Sequence, residues 1–168
     1  KSVAFNGFDY YIDNPSERTR YIYLSTGLEE LSSDTLNFFV NALKDTPDSW
    51  HVILVSHIWF NYYDSAKPKD GEVPEYVKPI LKLADQYNVR GKGILQEYEF
   101  AYDFSETAAR VEFCIGGHTH VDFDFRTEGG IPIIITQTDS YHIRGESVDI
   151  ENANKSSVSV IVADYSSG

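Results

Sequence analysis

The sequence predicts an α/β layered fold, and three features predict it. Two short, nearly all-apolar runs, over residues 51–56 and 111–115, have the composition of strands covered on both faces. An amphipathic helical pattern precedes the first run and another separates the two. Strand, helix and buried strand therefore alternate, as they do where helices lie on each side of a sheet.

The elements follow in order. Residues 5–12 are aromatic and turn at Asn14-Pro15, and a strand over 20–25 comes next. The two read as an antiparallel hairpin or as adjacent strands. Ser32 or Ser33 can cap a helix in which Leu36, Phe39, Val40 and Leu43 recur at i, i+3, i+4 and i+7, ending near Asp45 before Pro47. Residues 62–74 read as a loop, with Pro68 and Gly71. A second helix is expected over roughly 75–87, with Val77, Ile80, Leu81 and Ala84 on one face. Pro79 suits a first turn, so its position argues for a start near residue 79. Beyond the apolar run at 111–115, residues 121–125 alternate as a half-exposed strand does. Glu128-Gly129-Gly130 makes a turn, 131–136 returns as a strand, and a last strand runs through 157–162.

The 168 residues suit one domain, and 42% hydrophobic content supplies a sizeable core. No apolar stretch approaches the ~20 residues of a membrane span. The chain starts at Lys1 and contains no methionine, which predicts that its natural start has been removed. Residues 165–168 resemble a hairpin turn whose partner strand is absent, so residues 1–168 read as a single domain fragment. The single cysteine, Cys114, lies in an apolar run and reads as a buried thiol. The formal net charge of -12 repels phosphate backbones at long range, which argues against long nucleic acids as partners. A phosphorylated substrate needs a local positive centre against that field, and bound metal ions supply one.

Of the five histidines, three stand directly after the buried strands. His57 ends Val55-Ser56-His57, and His118 and His120 end Gly116-Gly117-His118-Thr119-His120. Open α/β sheets bind ligands beyond the carboxyl ends of their strands. If the two strands are parallel neighbours, all three imidazoles meet on one edge. Neutral imidazole is the commonest metal ligand. The glycines before His118 permit a tight turn, so the two rings of the His-x-His pair can address different ions or opposite sides of one site.

The other candidates read more plainly. His51 starts a strand and reads as structural; His142 reads as a loop histidine. Asp122 and Asp124 read as a solvent face, against carboxylates orienting His120. Trp59, Phe60, Tyr62 and Tyr63 either line a cleft or pack the loop. Glu97 and Glu99 do not make an acid/base pair, because nothing fixes their separation.

Residues 52–57, a hydrophobic strand ended by His57, resemble the fourth metal motif of calcineurin-like metallophosphoesterases. Ile115-Gly116-Gly117-His118-Thr119-His120 resembles the fifth, Gly-His-x-His. The strand and helix at 20–43 are also similar, and the resemblance runs from about Asp9 to Tyr165. It implies the second half of a layered αββα sandwich, truncated at its amino-terminal side. It implies a site for two divalent or trivalent ions (Mn, Fe or Zn), with His57 and His118 on one ion and His120 on the other. It implies hydrolysis of phosphate mono- or diesters by in-line attack of a hydroxide.

The sequence departs from the family pattern in one respect. Asp-x-His, Gly-Asp-x-x-Asp and Gly-Asn-His-Asp/Glu, which precede the fourth motif in the family, are absent. Their carboxylates, and the histidine that protonates the leaving group, are expected in a missing amino-terminal portion of the same protein. No catalytic residue is therefore identified within this chain, and the chain alone is expected to bind metal weakly and to be inactive. Two alternatives remain: a phosphoesterase-like module that binds a partner without catalysis, and a single structural zinc site.

Overall fold

The computed structural model describes residues 3–6, 8–26, 31–59, 72–117, 123–136, 161, 162 and 164. Among them the order is β1 (Val3–Asn6), β2 (Asp9–Asn14), β3 (Thr19–Leu24), α1 (Ser33–Lys44), β4 (His51–Ser56), α2 (Lys78–Asn88), β5 (Lys92–Leu95), β6 (Phe100–Asp103), β7 (Arg110–Gly116), β8 (Phe123–Arg126) and β9 (Pro132–Ile135). One sheet runs β1-β2-β3-β4-β7-β9-β8, and β5 and β6 form a separate antiparallel pair. The middle strands β3, β4, β7 and β9 are mutually parallel. The flanking strands β1, β2 and β8 are antiparallel to their neighbours. The protein is thus mixed α/β with a parallel centre.

Local chemistry accounts for both helices. In α1, the Ser32 hydroxyl accepts the Thr35 N–H at 3.0 Å, satisfying one of the unpaired donors of the first turn. Asp34 at its start and Lys44 at its end suit the helix dipole. The buried stripe is Leu36, Phe39, Val40 and Leu43, with Ala42 beside it. Helix α2 has no side-chain cap and carries Pro79 in its first turn, where the missing N–H costs nothing. It therefore starts at Lys78 rather than at residue 75.

Both helices bury their stripes in one core with Ile22, Leu24, Val52, Leu54, Val111 and Cys114 of the sheet. The expectation of helices on each side is corrected here: among the described residues, both pack on one face. The opposite face of the parallel strands carries Tyr21, Tyr23, Ile53, Val55, Phe113 and Ile115, which with Glu17, Ile161 and Val162 line a groove of about 720 Å³. Tyr10 and Tyr23, cross-strand partners, stack with centroids 4.5 Å apart. Residues 157–160 of the expected last strand lie outside the described residues, and Ile161 and Val162 are not in a strand.

Tyr87 closes the seam between the helices. It is fully buried, and its hydroxyl donates to the Leu43 carbonyl at 2.9 Å. Burial pushes its phenol up to about 12. The folded state therefore holds this proton more tightly than the unfolded chain, where tyrosine titrates near pH ~10. That stabilisation is intact below pH ~10 and is lost as pH rises towards the folded value. The urea midpoint of the wild type should fall across this window more steeply than that of Tyr87→Phe.

Candidate metal centre

Strands β3, β4, β7 and β9 run in one direction, so Leu24, Ser56, Gly116 and Ile135 end on a common rim. Strands β4 and β7 are direct neighbours, with Val55 opposite Ile115. The sequence made the histidine site conditional on this adjacency. His57 leaves β4 at the rim and is exposed. Its carbonyl accepts the Gly117 N–H at 3.2 Å. The polypeptide thus enters the His118-Thr119-His120 motif from a residue bonded to His57. His118 and His120 themselves lie outside the described residues, as do Asp122 and His142.

Close packing fixes the rim. The Trp59 indole N–H donates to the Ile115 carbonyl at 2.8 Å. Trp59 is fully buried, so it packs the rim rather than lining a cleft. Phe60, Tyr62 and Tyr63 fall outside the described residues. Gly116 is where the Trp59 ring approaches: a Cβ there would stand 2.6 Å from Trp59 Cδ1 and 2.7 Å from the Ser56 carbonyl oxygen. The backbone oxygen cannot rotate away. Gly116→Ala should therefore lower stability by about 1–3 kcal/mol and alter tryptophan fluorescence, both readable in a urea titration. On the far side, the Thr136 N–H donates to the Gly116 carbonyl at 2.9 Å.

Two buried hydroxyls that sequence patterning did not single out complete the rim. Thr26, just past β3, has its Oγ1 2.5 Å from Ser56 Oγ. It also accepts the Ile58 N–H at 3.0 Å and donates to the Ile58 carbonyl at 2.7 Å. Ser56 Oγ donates to the Leu24 carbonyl at 2.6 Å. Two hydroxyl protons serve these contacts, so the pair shares them. Lone hydroxyls carry no periodic signal, which is why only coordinates disclose them.

Other candidates sort by position. His51 Nδ1 lies 2.7 Å from Glu112 Oε1 at the opposite end of the strands, a structural pairing as expected. Asp124, Glu97 and Glu99 are exposed. Cys114 is fully buried, and burial pushes its thiol up, away from reactivity.

Among the described residues, no three His, Cys, Asp or Glu side chains gather to hold a metal ion. His57 is the one predicted ligand within them, and an exposed imidazole at a strand end is chemically suited to a divalent ion. One described carboxylate lies at this end of the sheet: Asp9 Oδ1 accepts the Ser25 N–H at 2.8 Å and its Oδ2 accepts the Thr35 hydroxyl at 2.8 Å. No family model, curated protein or solved structure matches the chain.

Proposed function

We propose that this chain is the second half of a calcineurin-like metallophosphoesterase domain, whose complete site hydrolyses phosphate esters. The observation that carries the reading is the Gly117 N–H bonded to the His57 carbonyl at 3.2 Å across parallel β4 and β7. It sets Ser56-His57 beside Gly116-Gly117, the residues that lead into the Gly-His-x-His motif. In this reading His57 and His118 hold one ion, His120 holds the other, and carboxylates from the preceding part of the same protein complete both shells. Two such ions, Mn, Fe or Zn, supply an activated water and charge neutralisation for the phosphate. The ligand task of the chain is to present neutral imidazoles from a rigid rim.

The αββα sandwich belongs to the same proposal. The groove over Tyr21, Tyr23, Ile53, Val55, Phe113 and Ile115 is the sheet face to which a second layer would pack. The same aromatic face also suits the alternative, a non-catalytic module that binds a partner protein. One experiment separates them: Mn²⁺-dependent hydrolysis of an aryl phosphate by the natural-length protein. Hydrolysis abolished by chelator and restored by Mn²⁺ supports the enzyme; none with any of Mn²⁺, Fe²⁺ or Zn²⁺ favours the module.

A further inference from the structure

We propose that Thr26 is the positioning residue for His57, holding the peptide that follows it so that the imidazole is presented to the metal. This rests on the metal reading above.

One peptide unit links the ends of three strands. The His57 carbonyl and the Ile58 N–H belong to the same plane and, in a trans peptide, point in opposite directions. The carbonyl accepts from Gly117 at 3.2 Å, and the N–H donates to Thr26 Oγ1 at 3.0 Å. The plane is therefore pinned between the ends of β7 and β3, on either side of the strand that carries His57. Thr26 then takes the next carbonyl as well, donating to Ile58 O at 2.7 Å. Ile58 and Trp59 are buried, so the turn cannot relax without exposing them. With the His57–Ile58 plane pinned, the ψ angle of His57 is restrained, and with it the direction of the Cα–Cβ bond from which the imidazole leaves the rim. A hydroxyl is required at residue 26, because one atom must accept from N–H and donate to C=O of the same residue. Serine meets that requirement and valine does not.

The test uses the natural-length protein and Mn²⁺ as the probe, titrated by electron paramagnetic resonance. Thr26→Val should weaken Mn²⁺ binding roughly 10–100-fold, the range for groups that orient a ligand. Thr26→Ser should bind within about threefold of wild type, since it retains the bonding group. Thr127→Val is the stability control. It removes a half-buried contact to Asp85 at the opposite end of the strands and should leave Mn²⁺ binding unchanged. A second readout needs no metal: hydrogen exchange at the Gly117 amide should accelerate about tenfold in Thr26→Val, as the plane it bonds to is freed. If the valine variant does not fold, Thr26→Ala carries the same two expectations. Wild-type Mn²⁺ affinity in Thr26→Val, or an unchanged Gly117 amide, overturns the positioning role while leaving the metal reading intact. Wild-type protein that takes up no Mn²⁺, or His57→Ala that binds it as tightly as wild type, overturns the metal reading and the positioning role with it.

Discussion

Replacing Arg20 with alanine is expected to lower the unfolding free energy by about 3–5 kcal/mol, a loss visible as a large drop in urea midpoint. Arg20 is 3% exposed and Asp13 is 6% exposed. The guanidinium reaches Asp13 with two bonds, Nε to Oδ1 at 2.7 Å and Nη2 to Oδ2 at 3.0 Å. Nη1 donates to the Ala42 carbonyl at 2.7 Å, one of the last four carbonyls of α1 that lack a helical partner. The cation also lies 3.8 Å from the centroid of the Tyr11 ring. One side chain thus ties β2, β3 and the end of α1 together. Alanine leaves Asp13 buried without its counter-charge, which is what makes the loss large. Replacing both members, Asp13→Leu with Arg20→Met, removes charge and counter-charge together and should recover most of the stability. If the double variant is as unstable as Arg20→Ala, the ion pair is not the origin of the loss.

His118→Ala is expected to reduce Mn²⁺-dependent hydrolysis of an aryl phosphate by about 10²-fold or more in the natural-length protein. A metal ion contributes several kcal/mol to stabilising charge at phosphorus, and each 1.36 kcal/mol is about tenfold in rate. Loss of one imidazole donor weakens retention of the ion that His57 is proposed to share. His51→Ala, at the far end of β4, serves as the control and should leave the rate nearly unchanged. An unaltered rate in His118→Ala refutes the role given to that histidine.

Strong periodicity made α1, β4 and β7 legible, because four stripe positions or a run of apolar residues outvote single exceptions. Pro79 likewise announced the start of α2 through its own chemistry. The β5–β6 pair was not legible: Lys92-Gly93-Ile94-Leu95 is short and carries little pattern, and its order depends on packing such as Tyr102 against Gly93. The burial of Arg20 and Asp13 was not legible, since nothing in a linear pattern says that a charge is buried. Of the site, the position of His57 at a strand end was legible, whereas the parallel adjacency of β4 and β7 was only a condition until the sheet order supplied it. For Trp59 the sequence left cleft lining and packing open, because aromatic content alone does not distinguish packing from recognition; its burial decides for packing.

The order of the sheet also bears on how the molecule assembles. Strands β1, β2 and β3 are joined by short turns, whereas β4 waits for β7 across the whole of α2 and the β5–β6 hairpin. Closing that long loop is the slow entropic event, and rapid local pairings precede it. The His57–Gly117 junction belongs to that long-range pairing, which brings Val52, Leu54, Val111 and Cys114 into the core, so any ligand recognised there binds a chain whose central strands have already met.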